Sequence, residues 1–377
     1  MLLDNPFRPD LRVLREAQTL AESGYDVTIY AWDRDTATTR LPQECFGDNV
    51  QVIRISVKSD QQLGLRQIPY YLAYAHRAFW KVWRQDYDIV HCHDLTNLPI
   101  GILLKLFKGI DLVYDAHEIY WIMEGTKYSK LILTLLQFLE IVLLRSIDVF
   151  ITVGEVRAKY YRRYYERKIH VVGNWYDPKM RDSNAGEELR KNLGIPREAF
   201  VVTYAGTLSL VRATDVLVES IQSWNDSRIH WIVCGYGSAE ECVKSAAEKN
   251  SNLHFLGWLE DITPVFSASD ALIYLMDLSH PYAFYNAPNT LYLAIAWKLP
   301  LIAISTGEIA EVLTSGKTGL LIESVGMHSI SDAVRELAFK SGLYGKIVQE
   351  LGNLQPQYSW KRAKVRLLSA YEEIADN

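Results

Sequence analysis

Asp88-Ile-Val-His-Cys-His-Asp94 and Asp111-Leu-Val-Tyr-Asp-Ala-His-Glu118 decide the fold. In each, a short apolar run stops abruptly in ionisable groups. Runs of this kind are parallel strands buried on both faces. The stretch between them, Asn97 to Phe107, has helical periodicity, which makes the whole a βαβ unit. Working outward, the same alternation predicts strands at Tyr25–Trp32, Val50–Val57, Asp148–Val153 and Lys168–Val172, with a very short first strand within Met1–Asp4. The remaining helices are predicted at Leu11–Ser23, ended by Gly24, and at Pro69–Arg84, Tyr128–Arg145 and Glu155–Tyr165.

Asp177 to Pro196 is polar and rich in turn residues, and reads as a linker plus a charged helix. The alternation then restarts, with strands at Phe200–Gly206, His230–Gly235, Leu253–Leu256, Ala271–Met276, Pro300–Ile304 and Gly319–Glu323. A chain of 377 residues exceeds the ~250–300 at which single cores stop growing. The expected fold is therefore α/β, with two doubly wound, Rossmann-like domains facing a central cleft. Ligands of such sheets bind beyond the carboxyl ends of the strands.

Composition narrows the function. A net charge of -5 excludes a general polyanion or nucleic-acid binder. Residues 1–176 carry 22 basic and 21 acidic groups, against 18 and 24 in 177–377, so a surface that prefers anionic lipid belongs to the first half. Cys45, Cys92, Cys234 and Cys242 have no C-x-x-C spacing, which points to reduced cytoplasm rather than a disulfide framework. No n-region and h-region open the sequence, so no signal peptide is expected. Leu131–Leu144, the most apolar window, is interrupted by Thr134, Gln137 and Glu140 and falls short of the roughly 20 residues of a spanning helix. It reads as a buried or interfacial helix. Glu155–Lys168 interleaves basic residues with Tyr160, Tyr161, Tyr164 and Tyr165, a pattern of either an anionic-membrane contact or a solvated basic face.

The strand ends hold the candidate chemistry. His91 and His93, two apart in an extended chain, share a face, and Asp94 opens the following loop. Imidazoles with a carboxylate suit zinc, but no fourth ligand has helpful spacing, so a hydrogen-bonding or proton-relaying His93 is the better assignment. Asp115, His117 and Glu118 are too polar to end a strand for packing alone, and are either functional or a hydrogen-bonded loop. Arg212, beside Gly206 and a helix start near Thr214, is an anion clamp or an exposed loop arginine. Gly235-Tyr-Gly237 opens like a dinucleotide fingerprint but has Glu240 where the third glycine belongs, and marks a tight turn. Pro288-Asn289-Thr290 starts the helix Leu291–Trp297 with free amides suited to a phosphate.

In their order along the chain these pieces resemble the GT-B-fold, retaining, group 1 (family four) glycosyltransferases. The resemblance rests on Asn5-Pro-Phe-Arg-Pro-Asp-Leu-Arg12, the two stretches quoted first, Tyr204-Ala-Gly-Thr207, Phe255-Leu-Gly-Trp258, Ser269-Asp-Ala-Leu272, Pro288-Asn-Thr-Leu291 with Leu299-Pro-Leu-Ile302, and Thr318-Gly-Leu-Leu321. It implies an acceptor-binding domain over 1–175, a nucleotide-sugar-binding domain over 176–357, and a C-terminal helix, 358–377, packing back on the first.

It also implies a UDP- or GDP-sugar donor, a glycan or lipid-linked acceptor and no metal, while the apolar helix Tyr128–Arg145 and the basic, tyrosine-rich helix after it suggest a place at the inner membrane face. By position, His93 matches the family's histidine beside the reacting sugar and Arg212 the cation that neutralises the leaving diphosphate. Gly257 and Trp258 match the turn that reads the base. Gly206, Thr207, Gly237, Tyr285, Pro288, Asn289 and Thr290 complete the implied donor site, and Arg8, Arg12, Asp94, His117 and Glu118 the acceptor side.

The chain departs from the family at the two glutamates usually placed eight positions apart, where it has Tyr285 and Leu293. Thr290 replaces a common lysine, Thr207 a common arginine, and Pro6-Phe7-Arg8-Pro9 a glycine-rich loop, so that Arg8 and Arg12 would supply that loop's contacts. The alternative is a scaffold with a degenerate donor site that partners an active transferase. A dehydrogenase rests on Gly235 and Gly237 alone.

Overall fold

The computed structural model describes residues 1–8, 10–34, 41–47, 49–59, 64–123, 125, 128–224 and 226–375. The chain divides into one unit of Met1–Gly173 with Ala363–Asn377, and a second of Asn174–Arg362.

In the first unit, the strands are β1 (Leu2–Leu3), β2 (Val27–Asp33), β3 (Gln43–Cys45), β4 (Val50–Ser56), β5 (Ile89–His93), β6 (Asp111–Ala116), β7 (Val149–Thr152) and β8 (Ile169–Val171). They form one sheet in the order β3-β4-β2-β1-β5-β6-β7-β8. β1 is only two residues long, yet Leu2 and Leu3 are buried and pair in parallel with β2, and Leu2 also with β5. β3 was not legible: Gln43-Glu44-Cys45 is polar and short, and is held antiparallel on the edge by Arg54, whose Nη2 donates to Glu44 Oε2 at 2.7 Å.

Asp10 caps the helix Leu11–Glu22, accepting from the amides of Arg12 and Val13. Its buried face turns Arg12 and Glu16 inward together, as spacing of four on a helix requires. The C-terminal helix Trp360–Ala375 joins this unit through polar contacts: Tyr371 Oη lies 2.8 Å from His91 Nδ1, Glu373 Oε2 2.6 Å from His170 Nε2, and Arg366 Nη1 donates to Val171 O at 3.0 Å.

In two helices the structure decides between the alternatives the sequence left open. Lys130–Leu143 exposes Leu131, Leu135, Phe138, Leu139 and Val142, while the one residue it buries is Glu140. In Glu155–Tyr161 and the turn after it, Tyr160, Tyr161 and Tyr165 are buried, and Tyr161 and Tyr165 pack edge-on against Phe150, leaving Arg162 and Arg163 outside. The tyrosines belong to the core and do not face a membrane. Among the described residues no helix is long and apolar enough to cross a membrane.

The second unit holds β9 (Phe200–Ala205), β10 (Ile229–Cys234), β11 (Leu253–Gly257), β12 (Ala271–Tyr274), β13 (Leu301–Ile304) and β14 (Leu320–Ile322), all parallel in the order β11-β10-β9-β12-β13-β14. The order reverses direction between β9 and β12, the kind of switch point beside which ligands of doubly wound sheets bind. The charged helix expected after residue 177 is Ser183–Asn192, capped by Asp182.

Candidate active site

In the first unit, β5 and β6 run side by side with His93 opposite Asp115, so two strand ends deliver ionisable groups to one place. Arg12 reaches Asp115 from the helix Leu11–Glu22: its Nη2 donates to both carboxylate oxygens, at 2.8 and 3.0 Å, and its Nη1 to Val172 O at 2.6 Å. His117 Nε2 lies 3.0 Å from Asp115 Oδ2 and 3.1 Å from His93 Nδ1. Asp94 holds the other side of His117. It adopts φ 61°, a left-handed conformation costly for a non-glycine residue, and its Oδ1 accepts from the His117 amide at 2.9 Å. His117 Nδ1 is 3.5 Å from Asp94 Oδ2.

Electrostatics follow from this arrangement. Burial works against a charged His117, but Asp94 and Asp115 more than offset it and raise its pKa to about 10, so the ring is a cation at neutral pH. Burial would raise Asp115; Arg12 and His117 hold it well below the carboxylate range instead. Burial lowers His93 to about 4 and keeps it neutral, and raises Asp94 to about 6.

These positions revise the expected roles. His93 has no exposed side-chain surface and lies behind His117, whose side chain is 17% exposed. Of the two, only His117 presents side-chain surface. Arg12, 5% exposed at its side chain, is committed to Asp115 and does not replace a ligand-binding loop; Arg8 is exposed. Glu118 pairs with the buried Arg157. His91 and His93 do share a face, their rings stacked 4.3 Å apart.

Donor atoms of Glu16, His91, His93 and Asp115 lie within 4.8 Å of one another, all buried. Their types suit a metal. However, the guanidinium of Arg12 already stands 2.9 Å from Glu16 Oε1 and 2.8 Å from Asp115 Oδ2, where a cation would sit. Glu16 was missed in the sequence; its offset of four from Arg12 was the available signal.

In the second unit the loops after β9, β10 and β11 stack backbone on backbone. Gly206 N donates to Cys234 O at 3.0 Å, Leu208 N to Tyr236 O at 3.0 Å, and Gly235 N to Gly257 O at 2.8 Å. A Cβ on Gly235 would run into the carbonyl oxygen of Gly206, and one on Gly237 into that of Leu208. Both glycines are thus explained by loop packing, as a tight turn requires. Thr207 is exposed, and its carbonyl accepts from Tyr204 Oη at 2.6 Å. Gly257 has φ 65°, and Trp258 after it is exposed, as is Tyr236 on the neighbouring loop.

Arg212 is half-exposed and forms no ion pair with a described residue. Its guanidinium touches the Tyr274 hydroxyl and lies 3.7 Å from Met276 Sδ. Asn286 Nδ2 reaches the same hydroxyl and is 3.5 Å from the same sulfur. Asn286 stands two residues before Pro288, the N-cap residue of the helix Asn289–Trp297, which receives no side-chain cap. An uncompensated cation thus lies close to a helix start with uncapped amides. Thr290 is buried and Asn289 exposed; Tyr285 and Leu293 are each half-buried. Tyr274 was not singled out in the sequence, since nothing local links a strand end to Asn286 twelve positions on.

Two family models match: "Glycosyl transferase 4-like domain" over residues 9–175 and "Glycosyl transferases group 1" over 199–339. The chain belongs to the group 1 glycosyltransferases. As a group 1 glycosyltransferase it is a transferase with the GT-B fold. It is 22% identical to a D-inositol 3-phosphate glycosyltransferase of Corynebacterium glutamicum, over 97% of this chain and 91% of that protein. Among solved structures, a sucrose-phosphate synthase from Thermosynechococcus elongatus superposes with a TM-score of 0.79 at 14% identity, covering 100% of this chain and 98% of that one. Anabaena HepE, crystallised with UDP-glucose, gives a TM-score of 0.74 at 16% identity, with 98% of each chain covered.

Proposed function

We propose that this glycosyltransferase moves a sugar, with retention at the sugar carbon, from a UDP- or GDP-linked donor held by the second unit to a glycan or lipid-linked acceptor held by the first, without a metal. The observation that carries the reading is Arg212, a guanidinium with no carboxylate partner among the described residues, linked through Tyr274 and Asn286 to the uncapped helix Asn289–Trp297. When the bond from sugar carbon to phosphate oxygen breaks, its electron pair stays on the diphosphate. Arg212 and the amides near Asn289 and Thr290 are preorganised to receive that charge. Trp258 and Tyr236 offer exposed rings for the base. HepE's UDP-glucose supports a uridine donor.

On the acceptor side, His117 supplies a positive charge steadied by Asp94 and Asp115, with Glu118 and Arg8 beside it in sequence or exposed to solvent. The inward-turned Glu140 and outward apolar face of Lys130–Leu143 support a peripheral membrane contact at the cytoplasmic surface, where a lipid-linked acceptor for cell-surface polysaccharide or glycolipid would be met.

Incubation of the full chain with a panel of UDP- and GDP-sugars, with release of UDP or GDP as readout, tests this. Arg212→Ala should reduce release on the order of 10²–10³-fold. Unchanged release in that variant would remove Arg212 from the chemistry, and failure of every UDP- and GDP-sugar to bind the native protein would overturn the donor assignment.

A further inference from the structure

We propose that one whole outer face of the first unit, built by three helices rather than by Lys130–Leu143 alone, is a docking surface for an anionic lipid bilayer, and that the acceptor is a lipid held in that bilayer. This rests on the reading above in taking the strand ends of the first unit as the acceptor side. It narrows that reading from a glycan or lipid-linked acceptor to a lipid.

Topology puts the three helices side by side. Ile68–Trp83 leads into β5, Asp94–Lys108 joins β5 to β6, and Lys130–Leu143 lies between β6 and β7. The middle one packs against both of the others, so they form one layer over the sheet. All three turn apolar side chains to solvent. Leu72 and Trp80 are exposed on the first, Leu131 and Phe138 on the third, and on the middle helix Leu106 and Phe107 are 70% and 67% exposed. Single exposed leucines are ordinary, but neighbouring helices that expose them together mark an interaction surface.

Charge identifies the occupant. Ile68 to Arg84 contains Arg77, Lys81 and Arg84 and no acidic residue. The acids of the other two helices are Asp94 and Glu140. Asp94 is engaged with His117, and Glu140 is buried, accepting from the hydroxyls of Tyr114 and Tyr161 at 2.9 and 2.7 Å. Lys81, Arg84, Lys130 and Arg145 stay exposed, with no ion pair to a described residue. An apolar layer whose exposed charges are all positive complements an anionic bilayer: leucine and phenylalanine enter the acyl region while lysine and arginine meet the headgroups. A second copy of the chain fits worse. A twofold contact sets a patch against itself, so these basic side chains would meet one another with no acid between them.

The acceptor class follows from where the layer begins. Helices that return between parallel strands start at the strands' carboxyl ends, which is where Asp94 and His117 lie. In the first turn of Ile68–Trp83, Tyr71 Oη donates to Thr96 O at 2.7 Å, and Thr96 Oγ1 donates to Asp4 Oδ2 at 2.9 Å. The apolar surface is thereby fastened to the rim of the site. Ile68 and Leu131, both in first turns, are exposed there. A lipid reaching Asp94 and His117 from a docked bilayer keeps its chains in the membrane and brings only its polar head to the strand ends.

Co-sedimentation of the full chain with vesicles needs no donor, so its failure is distinct from a failure of the proposed sugar transfer. Binding should be at least about tenfold stronger to phosphatidylcholine vesicles containing phosphatidylglycerol than to phosphatidylcholine alone, and should weaken with salt. Leu106→Ser with Phe107→Ser should lower it at least about tenfold. Lys81→Glu with Arg84→Glu should remove the preference for phosphatidylglycerol. Equal binding of native protein to both lipids, or native-like binding by both variants, would overturn the bilayer as occupant. A native dimer in analytical ultracentrifugation that Leu106→Ser with Phe107→Ser dissociates would assign the face to a second copy instead. For the acceptor, native protein bound to vesicles carrying a phospholipid with a photoactivatable headgroup should be cross-linked at the first turns, around Ile68 and Leu131. Labels confined to Trp80, Leu106 and Phe107 would place the strand ends away from the lipid and overturn the lipid acceptor.

Discussion

Arg12 Nη2 lies 2.8 Å from Asp115 Oδ2, and both side chains are buried. Their union ties a helix that begins at Leu11 to the end of β6. Removing one partner leaves the other charged and unsolvated, which costs about 3–5 kcal/mol. Arg12→Met should therefore lower the denaturant midpoint strongly. A midpoint close to that of the native protein would show that His117 alone satisfies Asp115.

Glu140 should make stability depend on pH. Burial raises its carboxyl from an ordinary 4.5 to about 7, against the hydrogen bonds from Tyr161 and Tyr114 that lower it. A raised folded value means that stability present in acid is lost as pH rises from about 4.5 through 7. The loss is about 3 kcal/mol. Glu140→Gln should flatten the fall in melting temperature between pH 5 and 8 relative to native protein, and equal slopes would refute the assignment.

The outward face of Lys130–Leu143 should govern membrane contact. Leu135 and Phe138 are 58% and 65% exposed, so changing both to serine should alter stability by no more than about 0.5 kcal/mol each. Burying such side chains in lipid contributes about 1.5–3 kcal/mol apiece, which predicts at least a tenfold drop in sedimentation with phosphatidylglycerol vesicles. Equal sedimentation would show that the face serves another partner.

Gly235→Ala should damage the second unit. At φ 142° the backbone suits glycine, and the added methyl meets the Gly206 carbonyl. A loss on the order of 2–4 kcal/mol is expected in denaturant unfolding, together with weaker UDP binding. Native-like stability would mean that the three loops are loosely packed.

Much of the architecture was written in local pattern. Burial on two faces makes a parallel strand read as an apolar run, and that signal needs no partner to be visible, so two doubly wound units and the polar ends of β5 and β6 followed from the residues alone. Periodicity does not say which way a face turns. Lys130–Leu143 shows its leucines to solvent, and the tyrosines of Glu155–Tyr161 turn inward, because what lies against a helix is set by distant segments.

The electrostatics were hidden for the same reason. Arg12, Glu16, His93, Asp115 and His117 meet across about a hundred residues of chain, and only their meeting buries His93, leaves His117 at the surface and charges it. In the second unit, Arg212 and Asn286 both reach the hydroxyl of Tyr274 at a strand end. A side chain's protonation and exposure depend on charges brought near by folding, and sequence adjacency carries no information about them.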